Sequence, residues 1–444
     1  MRKYANLGLP VLWCLFLLAP IATVASVSTS LHSSIDLPYN VGTLKALPAA
    51  PIDVPMQDQN EATSGWLPEV TPFWVDLVNA ELVSNDGEGV YIAVLDTGLL
   101  SMWEYFFSQA NIADYYGIGF THDIYWDPSV GDFVVGPLHT RSFITDGFEG
   151  SGHGTHVVST IVGYRYGNYW IRGVAPKATI IPVLVLDAWQ VPYPGGTAYF
   201  TGAFNDMVAA GIYYIANLAE ELDGPVIISM SLGGPNPSPI IEDAINYAIS
   251  KGLIIVVAAG NAGYAGMSWP GAYPQVISCG MVGWTEQFVE SSWWVNDVPE
   301  NHFTTDYWGN NHILYLDIIS SRPNKTLGQK PFHLDVVTPG TAIVGPYKPY
   351  FSYNVAYYYV WGTSMATPHV SGIAALYQQS HPDVSQETLE WILKHAARGF
   401  PLPCDGSWAW DLRLGFYHFE WYGTDYGAGF LQADEVLNVK SPHN

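Results

Sequence analysis

The sequence predicts an α/β fold, in which a doubly wound, mainly parallel sheet carries helices on both faces. Two observations support this prediction. Short apolar runs bounded by glycine and turn residues are typical of strands that are buried on both sides, and segments with helical periodicity lie between several of these runs. Strands that alternate with helices form parallel sheets, because each parallel connection must cross back over the sheet.

The expected strands lie at residues 89–96, 178–186, 225–234, 252–261 and 275–280. Apolar side chains recur every three or four positions in residues 200–222 and 240–249, so both segments are predicted helices. Sites in doubly wound sheets gather at the carboxyl ends of the strands. Asp96, Ser231 and Asn261 all stand at such ends.

The chain divides into three parts by composition. Residues 1–25 contain two basic residues, a long apolar run and then small residues, which is the layout of a signal peptide. The alternative is an uncleaved membrane anchor, because the apolar run is long. Residues 26–65 form a linker or short pro-segment, and residues 66–440 form the core domain. Segments near 101–149 and 284–333 do not follow the strand–helix alternation and are interpreted as insertions.

Charge and cysteine content exclude some partners. The formal net charge is −24 with only 16 Lys and Arg residues, so no basic surface exists to bind nucleic acid. A membrane is a partner only if the N-terminal apolar segment stays uncleaved. After residue 25 only Cys279 and Cys404 remain, which is not a disulfide framework. Cys279 is expected in the core, and a Cys279–Cys404 bridge is the alternative.

Several polar residues are candidates for chemistry, although each has a structural explanation when it is taken alone. Asp96 and Asn261 follow strands and could be turn residues. His153 and His156 are spaced to share a helix face, where they could bind a metal. Ser364 precedes a helical segment, where serine is a common N-terminal cap. Because they occur together, these residues also satisfy the needs of nucleophilic catalysis: a serine, a base and a group that orients the base.

Several separate motifs, in one order, resemble those of the subtilisin-like serine proteases, and the resemblance extends over about residues 66–440. The order Asp, His, Ser along the chain is the one known for subtilisin. The motifs are "AVLDTG" at 93–98, "HGTHVVSTIVG" at 153–163, "SMSLGG" at 229–234, "AAGN" at 258–261 and "GTSMATPHVSG" at 362–372.

This resemblance implies a secreted serine endopeptidase that works through an acyl-enzyme intermediate. Ser364 matches the nucleophile, His153 the general base and Asp96 the residue that orients the base. Asn261 matches the oxyanion donor, which would act together with the Ser364 backbone N–H. His156 then becomes a buried structural histidine.

The same resemblance implies protein or peptide substrates and no cofactor for catalysis. Ser231, Leu232 and Gly233 match the edge segment that pairs with extended substrate backbone. Residues 262–274 match part of the pocket for the residue before the scissile bond. They contain no charged side chain, so broad specificity with an apolar or aromatic preference is expected. Structural calcium occurs in the family, but its ligands here, as for any metal, are unknown.

The sequence departs from the family pattern in two respects. The sequence has long segments between its motifs, and residues 26–65 are too short for the folded pro-domain typical of secreted members.

Two rival interpretations are open to test. The acid-active sedolisins share the fold but replace the histidine with a Glu–Asp pair, whereas His153 is present here. A catalytically inactive binding domain would lack one member of the triad, and none is missing.

Overall fold

The computed structural model describes residues 67–289, 298–299, 301–402 and 405–440. The expected signal peptide and the 26–65 segment lie outside these ranges. Within them, no helix combines the length and the apolar character that crossing a membrane requires.

The strands are β1 (Glu69–Val70), β2 (Tyr91–Asp96), β3 (Leu99–Leu100), β4 (Ile118–Asp127), β5 (Asp132–Arg141), β6 (Ile144–Thr145), β7 (Gly163–Tyr166), β8 (Tyr169–Arg172), β9 (Thr179–Leu184), β10 (Asp187–Tyr193), β11 (Gly196–Gly202), β12 (Val226–Met230), β13 (Ile254–Ala258), β14 (Ile277–Trp284), β15 (Leu314–Leu316), β16 (Val336–Pro339), β17 (Ile343–Tyr347), β18 (Ala356–Val360), β19 (Ser407–Asp411) and β20 (Gly415–Phe419). The α-helices are α1 (Phe73–Asp76), α2 (Trp103–Phe106), α3 (His153–Val162), α4 (Asn205–Leu218), α5 (Pro239–Ser250), α6 (Thr363–Ser380), α7 (Gln386–Ala397) and α8 (Ala433–Asn438).

The main sheet has the strand order β15-β14-β13-β12-β2-β9-β4-β5, with β16 also paired to β14. Strands β14, β13, β12, β2, β9 and β4 run parallel, and β16 is parallel to β14. The pairs β14–β15 and β4–β5 are antiparallel. The sheet is therefore mainly parallel with antiparallel edges, as the sequence predicts.

Helices cover both faces of this sheet. Successive residues of a strand point to opposite faces, and those of β2 divide between two core clusters. Ile92 and Val94 belong to the cluster that contains the apolar residues of α3, α6 and α7. Ala93 and Leu95 belong to the cluster that contains those of α4 and α5. The doubly wound α/β fold class is confirmed.

One element prediction was wrong at its boundary. The helix expected over residues 200–222 begins only at Asn205, because residues 196–202 form β11 and pair with β10. Phe200 lies opposite Trp189 in this hairpin. The signal that was missed is the "PGG" turn at residues 194–196, which favours a hairpin.

Cys279 is a fully buried free thiol in β14, which confirms its expected place in the core. Its sulfur lies 3.2 Å from Thr338 Oγ1. Cys404, its alternative disulfide partner, lies outside the described residues.

The described part of the segment 284–333 is tied to the β19–β20 hairpin by a buried ion cluster. Arg413 binds both carboxylate oxygens of Asp411, each at 2.9 Å, and also donates to Asp317 from the segment. Its guanidinium stacks over the ring of Trp361, 5.2 Å from the centroid. The two carboxylates are fully buried, so the arginine offsets their desolvation.

Candidate active site

The carboxyl end of β2 places Asp96 in the interior, next to β9. Asp96 lies opposite Leu184, and its main-chain oxygen accepts hydrogen bonds from Val185 and Leu186. Its side chain is 0% exposed. Oδ1 accepts from the Thr97 N–H at 2.7 Å. These bonds fix the carboxylate at the carboxyl end of β2.

His153, the first residue of α3, meets this carboxylate. Nδ1 of His153 lies 2.7 Å from Asp96 Oδ1, and the imidazole is 1% exposed. A carboxylate can only accept, so Nδ1 carries the hydrogen and Nε2 of the neutral ring keeps its lone pair. The following glycine is required by this close approach, because a Cβ at Gly154 would lie 2.4 Å from Gly98 O.

Ser364 is the second residue of α6, and a reciprocal pair of hydrogen bonds holds it. Ser364 Oγ donates to the Ser231 carbonyl at 3.1 Å, while Ser231 Oγ donates to the Ser364 carbonyl at 2.8 Å. Pro368 has no N–H to give to the carbonyl four residues earlier. The Ser231 hydroxyl replaces that missing helical bond, which explains a proline inside α6.

The hydroxyl of Ser364 is turned toward Ser231 and not toward the imidazole. No hydrogen bond between Ser364 Oγ and His153 is found among the described residues. Hydrogen bonds of this kind are often long or misaligned without substrate. A rotation about the Cα–Cβ bond of Ser364 would break only its bond to Ser231.

The side chain of Asn261 is oriented by the residue that precedes Ser364. Asn261 Oδ1 accepts from Thr363 N at 2.8 Å and from Thr363 Oγ1 at 3.1 Å. The amide nitrogen, Nδ2, must therefore point away from Thr363. N–H groups in the first turn of a helix have no intrahelical acceptor, so the Ser364 N–H is also available as a donor.

A cleft that is open to solvent joins Ser231, Asn261 and Ser364. Its lining contains no charged side chain and includes all three residues expected to bind substrate. Ser268 packs closely against Gly260, since a Cβ at Gly260 would lie 2.3 Å from the Ser268 hydroxyl. The lining residues are Ser231, Leu232, Gly233, Ala258, Gly260, Asn261, Ser268, Thr363 and Ser364.

The resemblance assigns residues 262–274 to part of the pocket for the residue before the scissile bond, and of that segment Ser268 lines the cleft. Ala258, Gly260 and Thr363 line it without having been named. The reciprocal bond from Ser231 was also missed. Pro368 was its only signal in the sequence, since a proline inside a helix leaves one carbonyl in need of another donor.

Two further histidines near the site are buried and neutral. His156 Nε2 bonds the Ile343 carbonyl at 3.1 Å, and His369 Nδ1 lies 2.9 Å from the Met365 carbonyl. Burial, with a smaller contribution from the charge of His153, lowers the pKa of His156 to about 3. Burial lowers the pKa of His369 to about 3. Across the part of the chain that is described, no group of three His, Cys, Asp or Glu side chains is arranged to hold a metal.

The family model of the Subtilase family matches residues 87–416. Among curated relatives, Subtilisin BL of Lederbergia lenta is 30% identical over 331 residues, which are 73% of this chain and 91% of that protein. M-protease of Shouchella clausii is 29% identical over 349 residues, or 78% and 68% of the two chains. The solved structure of Sphericase aligns with a TM-score of 0.52 at 26% identity, covering 81% of this chain and 97% of its own.

The fold and these relatives define the molecule as a serine endopeptidase. The chain belongs to the subtilase family, which confirms the resemblance found in its motifs.

We predict that the buried histidines make the fold sensitive to acid. Between pH values of about 6.5 and 3 the unfolded chain binds a proton at His369 that the folded chain does not. The free energy of unfolding should therefore fall as the pH decreases through this window, by about 2–3 kcal/mol per histidine at pH 4.5. Urea unfolding of Ser364→Ala, which avoids self-digestion, measures this at pH 7.5 and 4.5.

His369→Gln in the same background should reduce the difference between the two pH values. His395→Gln removes an exposed histidine and should leave that difference unchanged. An equal acid sensitivity in all three proteins would contradict the prediction.

Proposed function

We propose that the chain hydrolyses peptide bonds with Ser364 as nucleophile, His153 as general base and Asp96 as the group that orients the base. The observation that carries this proposal is the buried 2.7 Å bond between His153 Nδ1 and Asp96 Oδ1. It fixes the tautomer in which Nε2 can take the serine proton. The same nitrogen then returns the proton to the leaving amine, after which water hydrolyses the acyl-enzyme.

Asn261 and the Ser364 backbone N–H would form the oxyanion hole. The Thr363 contacts support this role, because they hold Oδ1 of Asn261 and leave Nδ2 as the donor on the cleft side. A donor that is fixed before the reaction stabilises the developing negative charge without reorganisation. In this arrangement the nucleophile and one of the donors that stabilise the oxyanion belong to the same residue.

Residues 231–233 would bind the substrate backbone, and the adjoining cleft would take the side chain before the scissile bond. The uncharged lining supports an apolar or aromatic preference with broad specificity. A buried charge on a substrate side chain would find no partner there, so Lys, Arg, Asp and Glu should bind poorly.

We propose further that the enzyme is exported, with residues 1–25 as a signal peptide, 26–65 as linker or pro-segment and 66–440 as the catalytic domain. The proposed mechanism uses groups of the protein itself and requires no cofactor. Structural calcium remains part of the proposal without named ligands, since the described residues contain no group of three His, Cys, Asp or Glu side chains that could hold a metal.

Ser364→Ala should lower peptide hydrolysis by at least about 10⁴-fold and abolish labelling by a fluorophosphonate probe, while circular dichroism stays unchanged. Ser250→Ala, at an exposed helical serine, is the matched control and should keep both activities. If the wild-type enzyme resists the probe, or if Ser364→Ala retains its activity, the assignment is wrong. An inert wild type would favour a binding domain without catalysis.

Asn261→Ala should lower kcat by about 10²–10³-fold with little change in KM, because the donor acts mainly in the transition state. The control Asn246→Ala lies at an exposed position of α5 and should leave both constants unchanged. Steady-state kinetics on one peptide substrate decide the matter. A rise in KM at constant kcat would make Asn261 a substrate-binding residue.

Cleavage should occur preferentially after large apolar or aromatic residues, as measured by profiling with a peptide library. Ser268→Glu places a carboxylate in the cleft lining and should raise kcat/KM for substrates with Lys or Arg immediately before the scissile bond. A wild-type profile dominated by charged residues would refute the proposed pocket, as would an unchanged profile in the variant.

A further inference from the structure

The hairpin formed by β17 and β18 packs on α3, which carries His153, and leads into α6, which carries Ser364. Its first strand contacts α3, since His156 donates to the Ile343 carbonyl and the ring of Tyr347 packs on His156 at a centroid distance of 6.2 Å. Its second strand ends at Val360, shortly before α6 begins. The residue that follows β17 is Lys348.

Lys348 is an unusual lysine because it is only 4% exposed. Its ammonium donates to the Gly150 carbonyl, and the Phe148 carbonyl lies at 3.5 Å. Its own main-chain oxygen accepts from the Gly152 N–H at 2.8 Å. Lys348 therefore binds three positions in the short segment that leads into α3.

That segment sets where the helix of His153 begins. Gly152 is the N-terminal cap of α3, and the His153 N–H lies 3.3 Å from Ser151 Oγ. The Ser151 carbonyl in turn accepts from Thr97 Oγ1 at 3.0 Å, next to Asp96. A shift of residues 148–152 would move the imidazole relative to its carboxylate partner.

Two carboxylates lie near the ammonium group of Lys348. Burial lowers the pKa of Lys348, and the carboxylates of Glu149 and Asp146 oppose that change. Glu149 lies in the segment that the ammonium binds, and Asp146 lies two residues before that segment. An ammonium ion satisfied by main-chain carbonyls can hold a loop that lacks regular secondary structure, because each oxygen gains a charge-assisted hydrogen bond.

We propose that Lys348 is a positioning residue for catalysis: its ammonium fixes residues 148–152 and so places His153 on Asp96. This role rests on the proposed function of His153. Lys348 does not line the cleft, so substrate binding does not depend on it directly. Small displacements of a catalytic group lower the rate of the chemical step far more than they lower binding.

Lys348→Ala and Lys348→Met test this role by removing the ammonium with and without the aliphatic chain. Both should lower kcat by about 10- to 100-fold while KM changes little. Propylammonium should restore part of the kcat of Lys348→Ala, because it can occupy the vacated space and donate to the same carbonyls. Tetramethylammonium, which has no N–H, should not restore it at equal concentration. Lys177→Ala, at an exposed lysine, is the control for loss of charge.

The outcomes separate this inference from the proposed function. A wild-type enzyme that is inert toward peptide and fluorophosphonate overturns the function itself. An active wild type with normal kcat in both Lys348 variants overturns only the positioning role. The same holds if kcat falls but propylammonium does not restore it, or if both variants lose their circular dichroism signal, since the ammonium then serves the fold in general.

Discussion

The hydrogen bond between Asp96 and His153 is the interaction around which the rest of the site is organised. Burying a carboxylate costs several kcal/mol unless partners satisfy it. Here the Thr97 N–H and the imidazole both donate to Oδ1, while Oδ2 is buried and receives no hydrogen bond from the described residues. Oδ1 is therefore the carboxylate oxygen that would stabilise the imidazolium formed during catalysis. Burial of Tyr347, together with a smaller effect from the charge of Asp96, raises the pKa of the Tyr347 hydroxyl.

The site requires three chain segments that are distant in sequence to meet at the carboxyl ends of the parallel strands. The parallel alignment of β2 with β9 and β12 sets the position of Asp96 and brings Ser231 alongside. α6 crosses beneath β12, where Ser371 donates to Ser229 at 2.8 Å. The reciprocal bonds between Ser231 and Ser364 then connect that strand end to the helix N-terminus. A local defect such as Pro368 thereby becomes a contact between the two elements.

Much of this arrangement follows from sequence, and the limits have physical causes. Buried parallel strands are continuous apolar runs, so β2, β9, β12, β13 and β14 were predictable, as were the polar residues at their ends. The hairpin β10–β11 was missed because its aromatic residues continue smoothly into the helical pattern of α4. The orientation of the Ser364 hydroxyl and the burial of Lys348 depend on contacts between remote segments. Nothing in the composition of either neighbourhood encodes those contacts.

The ion cluster of Arg413 couples parts of the protein that could otherwise vary independently. The arginine and Asp411 come from the C-terminal hairpin, whereas Asp317 comes from a segment about a hundred positions earlier in the chain. An ancestor that gained one partner without the other would have carried an uncompensated buried charge, at a cost of about 3–5 kcal/mol. The two segments are therefore expected to be inherited together. A grafted or truncated protein would have to keep both segments or replace both, although the two are not adjacent in the sequence.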